Sequence, residues 1–156
     1  DTQDCTGEKI KTSPTLQQVS KEELEENIKR YLLGNISQLP PQYSAKKING
    51  QKAYDLAREG KEVVLKPKDI SIYSFDIVEY NWPSVTFRIR CSTGTYIRTL
   101  VNDLGEKVGT YATAMELRRT NIGEFDVENA IPTKDINEQV VESIMGIDKV
   151  KEILKI

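Results

Sequence analysis

Two runs of this 156-residue chain carry side chains whose types and spacing could do chemistry. In Cys91-Ser92-Thr93-Gly94-Thr95-Tyr96-Ile97-Arg98 a tyrosine and an arginine follow closely on a glycine. An arginine held at a helix start could orient a carboxylate through a bidentate pair of N–H groups. A tyrosine beside it could stack on a base drawn out of its helix. The ordinary alternative is a helix N-terminus with a snorkelling arginine and a core tyrosine. In the second run, Lys46 and Lys47 lie between Pro40-Pro41 and Asn49-Gly50. The prolines favour an extended approach and Asn-Gly a sharp turn, so the lysines would stand on a stiff loop as point charges for phosphate. Tyr54 and Arg58 follow at a spacing that shares one helix face. The alternative there is a surface loop with solvated lysines and a Tyr–Arg packing pair.

What the chain lacks narrows the chemistry further. It has no histidine, which removes Ser-His-Asp and Cys-His catalysis and histidine-ligated metals together. Acid–base or nucleophilic work would fall to a carboxylate, tyrosine, lysine or hydroxyl. Cys5 and Cys91 are the only cysteines and are far apart, so a structural zinc site is not expected and a reducing, cytoplasmic setting is. Hydrophobic residues at 38% and charged residues at 29% indicate a folded chain rather than a disordered one. No apolar run reaches membrane-spanning length, so no membrane association is expected. The net charge of −2 argues against nucleic acid only if averaged over the chain. Lys46, Lys47, Lys52, Arg58, Lys61, Lys66 and Lys68 fall in one stretch, and a local basic face matters more than the total.

The elements that must position these residues follow from capping, alternation and turns. Ser20 and Glu23 form a capping box for a helix with Leu24, Ile28, Tyr31 and Leu32 on its buried face, stopped by Gly34. Residues 36–41 avoid helix. A short helix is predicted over residues 52–59, ended by Gly60. Ile70, Ile72, Phe75, Ile77 and Val78 predict a strand with one irregularity, and Asn81-Trp82-Pro83-Ser84 a turn. Val85, Phe87, Ile89 and Cys91 alternate with polar residues, completing an antiparallel hairpin. A helix follows Gly94 with Ile97, Leu100, Val101, Leu104 and Val108 buried, interrupted at Gly105. A further strand is expected over residues 117–125, and residues 137–156 carry apolar residues at helical spacing. The mixture predicts an α+β fold with an antiparallel sheet.

Three runs, in order, resemble the TruB family of bacterial tRNA pseudouridine synthases. Residues 40–60, PPQYSAKKINGQKAYDLAREG, resemble the family's PPxYSAxKxxGxxxYxxARxG. Residues 91–105, CSTGTYIRTLVNDLG, resemble CSxGTYIRxLxxDLG. Leu117-Arg118-Arg119, with Gly123 and Phe125, resembles LRRxxxGxF, and Asp1-Thr2-Gln3-Asp4 with Gly7 resembles the DTxDxxG strand end. Three such runs in the right order make a chance match improbable. The resemblance covers roughly residues 1–130 and fades through 131–156, which is expected to be a helical tail.

The resemblance implies a fold, a reaction and a site. The fold is part of the pseudouridine synthase mixed, largely antiparallel sheet with flanking helices. The reaction is isomerisation of uridine 55 in the T loop of tRNA to pseudouridine, with no metal or organic cofactor. Arg98 is implied to pair with the nucleophilic aspartate, Tyr96 to line the base pocket, and Leu117 to close it. Lys46, Lys47, Tyr54, Arg58, Arg118 and Arg119 are the expected RNA contacts. The family's aspartate lies in a GxLDxxATG segment upstream of the DTxD strand end, and these 156 residues do not include it. The family's small C-terminal RNA-binding domain is likewise expected to lie outside them. Asp1 and Asp4 match the later strand end and are not assigned as nucleophile. Arg98 is therefore expected to stand as an unpaired charge in a half-built cleft, and loss of one partner of a buried pair costs about 3–5 kcal/mol. A polypeptide of these residues alone is expected to be inactive, with its open sheet edge covered by the upstream segment or by self-association. The other functional class compatible with these features is a non-catalytic tRNA-binding or tRNA-folding module.

Overall fold

Ser20 starts the first helix, accepting a hydrogen bond from the Glu23 N–H at 3.1 Å, as the capping sequence predicts. Helix α1 runs Lys21–Tyr31 and buries Leu24 and Ile28, with Leu32 buried at its end. Tyr31, expected on the same face, is exposed instead. Its ring meets two cationic heads instead of core, Arg30 at 5.2 Å and Lys107 at 5.0 Å. Gly34, at φ +81°, turns the chain out of the helix and into the sheet. The computed structural model describes residues 1–13, 17–44, 46–48, 50–60, 64–136 and 144–155. They fall into two units, Asp1–Glu116 and Leu117–Ile156.

The first unit is built on a three-stranded antiparallel sheet in the order β1 (Gly34–Gln38), β4 (Lys68–Asn81), β5 (Ser84–Cys91). Strands β4 and β5 form the predicted hairpin around residues 81–84. Alternation along β5 half-buries Val85, Phe87, Ile89 and Cys91 and exposes the residues between them. The long β4 carries two register shifts rather than the single irregularity expected, between Ile72 and Ser74 and between Ile77 and Glu79. The shifts re-phase the strand so that Ile70, Ile72 and Phe75 all reach the core, while Tyr73 and Val78 point out. Phe75 meets Phe87 of β5 edge to face, with ring centroids 5.1 Å apart.

Helix α3 (Ile97–Lys107) follows β5, and α1 packs on both α3 and β4. Val19, Leu24, Ile28, Leu32, Ile70, Ile72, Phe75, Leu100 and Leu104 form one core between the helices and the sheet. Leu100 is fully buried, and truncating such a leucine to alanine costs about 2–5 kcal/mol. Gly105 does not interrupt α3, as the sequence suggests, but lies buried within it. A Cβ there would stand 2.6 Å from the Ala112 main-chain nitrogen, so the glycine lets the returning chain cross close to the helix.

Between β1 and β4 lies a small hairpin, β2 (Lys47–Ile48) with β3 (Gln51–Lys52), followed by helix α2 (Ala53–Arg58). Gly50, at φ +88°, makes the turn read from Asn49-Gly50, while Asn49 itself lies outside the described residues. All of these strand pairs are antiparallel, and the parallel element among the described residues is a lone bridge between Asp4 and Ala114.

The second unit differs from the expected strand over 117–125. Leu117, Arg118, Arg119 and Thr120 form no strand; pairing is confined to β6 (Asn121–Ile122) and β7 (Phe125–Asp126), with a turn at Gly123. Asn121 donates to the Asp126 side chain at 2.8 Å and closes the hairpin locally. Asp126 then accepts from the Glu128 N–H and starts a short 3-10 turn, Val127–Asn129. Helix α4, Ile147–Leu154, occupies the later half of the predicted C-terminal helical region. Residues 137–143 of that expectation lie outside the described residues.

Candidate functional site

The site grows from the junction of β5 and α3. Gly94, at φ +79°, bends the chain after the strand, and Tyr96 takes an extended conformation (φ −97°, ψ 103°) as the N-cap of α3. Arg98 therefore lies in the first helical turn. Tyr96 and Arg98 are half-buried neighbours at one end of the sheet.

Arg98 is not the unpaired charge expected from the sequence. Its Nη1 donates to Asp4 Oδ2 at 2.8 Å and to the Thr2 carbonyl at 3.0 Å, and its Nη2 donates to the Tyr43 carbonyl at 3.0 Å. One guanidinium thus joins the N-terminal Asp1–Gly7 turn, the loop after β1 and the first turn of α3. Its planar fork suits this better than an ammonium could. The side chains of Arg98 and Asp4 are each only about one-fifth exposed (22% and 21%), so the pair is screened less than a surface bridge.

Asp4 is held as an anion from several directions. Oδ1 accepts from the Thr6 hydroxyl at 2.6 Å, the Thr2 hydroxyl at 2.8 Å and the Thr6 N–H at 3.0 Å. The Thr6 hydroxyl bond is the largest influence on its acidity. Partial burial opposes it, and Thr2, the Thr6 N–H and Arg98 add to it; together they hold the carboxyl well below the usual range. The turn carrying Asp4 is tied down at Gln3, whose side chain accepts from Thr99 Oγ1 of α3 at 2.8 Å and whose carbonyl accepts from Ala114 N–H at 3.0 Å.

The basic loop is anchored to the same arginine. Tyr43, whose carbonyl meets Arg98, precedes Ser44, and the Ser44 carbonyl accepts from the Tyr54 N–H at 3.1 Å. The Lys46 carbonyl accepts from the Ala53 N–H at 2.8 Å, which ties the start of α2 to this loop. Lys46 Nζ reaches the Lys66 carbonyl at 3.4 Å. Arg58 lies over the Tyr54 ring at 5.6 Å, the shared face read from their spacing. Lys47 is placed by its main chain in β2, opposite Lys52. In the second unit Leu117 and Arg119 are exposed, and Arg118 makes a surface pair with Glu128 at 3.8 Å, of a kind worth little energetically.

Sequence reasoning finds Tyr96, Arg98 and the loop lysines but misses what orients them. In the sequence Asp4 is part of a strand end, with nothing to mark it as the partner of Arg98. Gln38 reads only as part of an extended stretch, yet it is 3% exposed and hydrogen-bonds both the N–H and the carbonyl of Tyr96. Among the described residues no group of three or more His, Cys, Asp or Glu side chains could hold a metal ion, and no helix is long and apolar enough to cross a membrane.

With this geometry in place, comparison with known proteins defines the class. A solved structure, a Cbf5-Nop10-Gar1 complex, superposes with a TM-score of 0.67 at 26% identity, covering 88% of this chain and 40% of the other. The model for the TruB family pseudouridylate synthase N-terminal domain matches residues 1–97, and that for the tRNA pseudouridylate synthase B C-terminal domain matches residues 98–154. The fold is thus that of the pseudouridylate synthase class. Within it, the chain belongs to the TruB family. It is 40% identical over 154 residues to tRNA pseudouridine synthase B of Francisella philomiragia, covering 96% of this chain and 51% of that protein. To the proteins of the same name from Geotalea uraniireducens and Clostridium tetani it is 46% identical over 135 and 112 residues. These alignments cover 86% and 72% of this chain, and 43% and 39% of the relatives. The chain spans about half or less of the length of these curated relatives.

Proposed function

We propose that these residues are the RNA-holding part of a tRNA pseudouridine synthase that converts uridine 55 of the T loop to pseudouridine. The observation that carries this reading is Arg98, fixed on three sides by Asp4, Thr2 and Tyr43 beside the Tyr96 N-cap. In the reaction the C1′–N1 glycosidic bond breaks, the uracil turns, a C1′–C5 bond forms, and the C5 proton leaves to solvent while N1 regains one. A carboxylate nucleophile must hold its charge close to a base it does not protonate. A guanidinium pre-set by its own anion serves that need without reorganising during reaction. The nucleophile is the aspartate of the family's GxLDxxATG segment. Arg98 orients it and Tyr96 lines the base pocket, while Leu117 is assigned to the base by the family's LRR motif alone.

Residues 1–130 belong to the catalytic portion in this reading, and the contacts to the T arm come from Lys46, Lys47, Tyr54, Arg58, Arg118 and Arg119. Phosphate contacts of this kind set register rather than sequence preference. A polypeptide limited to these 156 residues binds T-arm RNA without isomerising it, for want of the nucleophile.

The test uses a T-arm stem-loop tritiated at uridine C5, with two samples: these residues alone, and these residues joined to a segment carrying the aspartate. Tritium release only from the second supports the reading. Salt-sensitive binding by both with release from neither favours a tRNA-folding module. Any release from the first sample, whatever the second does, overturns the assignment of the nucleophile.

A further inference from the structure

We infer that Gln38 is a positioning residue for the pocket: its buried side-chain amide grips the main chain of Tyr96 at two points and so sets where the Tyr96 ring and the Arg98 guanidinium stand. This rests on the function proposed above.

Gln38 is the last residue of β1, where its main chain pairs opposite Lys68. Its side chain reaches the start of α3. The Tyr96 N–H donates to Gln38 Oε1 at 2.8 Å, and Gln38 Nε2 donates to the Tyr96 carbonyl at 3.0 Å. That carbonyl also accepts the first intrahelical bond, from Leu100 N–H at 3.2 Å. The primary amide imitates one rung of an antiparallel ladder. Turning either peptide plane flanking the Tyr96 Cα breaks one of the two bonds, so both of its backbone torsions are held. Tyr96 makes no side-chain cap of its own, which leaves the Gln38 amide to fix the entrance to the helix.

Arg98 follows in the same helical turn, and the carbonyl it grips, that of Tyr43, lies just beyond Pro40-Pro41 on the chain leaving Gln38. The stiff stretch from Gln38 to Tyr43 is thus clasped to the helix start at both ends. The donor and acceptor on one group are what this requires. A carboxylate of the same shape cannot donate to the Tyr96 carbonyl unless it is protonated, and a thioether can neither donate nor usefully accept.

The experiment uses the complete protein containing these residues, with Gln38→Met and Gln38→Glu, on the C5-tritiated stem-loop. The expected result for Gln38→Met is a kcat lowered by about 10–100-fold with KM changed by less than about threefold, since a small misplacement of reacting groups affects the chemical step rather than RNA binding. Gln38→Glu is expected to be equally slow near neutral pH and to recover relative to the parent as the pH falls, when the protonated carboxyl regains its donor. A Gln38→Met enzyme with the parent's kcat, or a Gln38→Glu enzyme whose deficit is the same at every pH, overturns the inference. If Gln38→Met fails to fold, the acid recovery of Gln38→Glu decides; if both fail to fold, Gln38 is a core residue only and the inference falls. A parent enzyme that releases no tritium brings down the proposed function, and this inference with it. An active parent with indifferent Gln38 variants brings down this inference alone.

Discussion

Arg98 and Asp4 meet at 2.8 Å although 94 residues separate them, and the arginine bridges from there to Tyr43 on a third segment. The pair is a hub: the turn that carries the acid, the loop that carries the lysines and the helix that carries the tyrosine all converge on one guanidinium.

Replacing Arg98 with lysine keeps the charge and loses the fork. An ammonium cannot satisfy Asp4, Thr2 and Tyr43 together while still orienting a second carboxylate. Pseudouridine formation by the complete protein should fall by roughly two to three orders of magnitude, the scale for losing a pre-organised donor. Single-turnover rates with the stem-loop check this, and a tenfold loss or less would contradict the hub.

Asp4→Asn should show a distinctive pH dependence. The folded-state pKa of Asp4 is shifted downward, so its stabilisation is complete above its unfolded pKa and is lost as pH falls toward the depressed folded value. Denaturant titrations should find the wild type more stable than Asp4→Asn by a constant margin above about pH 5, with the gap narrowing below about pH 4.

Asp103 on α3 is predicted to behave oppositely. Burial is the largest influence and pushes its carboxyl up; the Asn102 hydrogen bond opposes it, the Glu106 charge adds a smaller upward push, and Lys107 a smaller downward one. Its folded form binds a proton more tightly than its unfolded form, so ionisation destabilises the fold as pH rises through the window above the ordinary carboxylate value. Asp103→Asn should raise the melting temperature at neutral pH, and the advantage should vanish in acid below that window. Differential scanning calorimetry across pH is the check.

Gly105→Ala should destabilise the first unit although alanine is the better helix former. The new methyl would meet the Ala112 main chain, which cannot move aside as a flexible side chain would. A loss of about 1–3 kcal/mol is expected, the usual cost of overpacking. A stabilising effect in urea titration would mean that the Ala112 segment yields.

Lys46→Ala and Arg58→Ala should weaken T-arm binding evenly across RNA sequences, each reducing the slope of log affinity against log salt by about one where it meets a phosphate. Fluorescence anisotropy at several salt concentrations measures this. An unchanged slope for either variant removes that residue from the phosphate contacts.

The chain's local order is legible in its sequence. The Ser20 cap, the alternation along β5, the turn at residues 81–84 and the helix after Gly94 all depend on residues close in sequence, and each stands where the pattern puts it. The three motif runs carry the family in the same way, because a motif is local spacing. The strand expected over 117–125 fails for a related reason: alternation without a partner strand does not make a strand, and here Gly123 folds the segment back on itself after two residues. What only the tertiary structure decides is the set of long-range polar contacts. That Asp4 answers Arg98, that Gln38 clasps Tyr96 across 58 residues, and that Thr99 holds Gln3 depend on the packing of α1, α3 and β4 around one core. A hydrogen bond is short and directional, and its partners can be named only after the packed elements have brought them within reach.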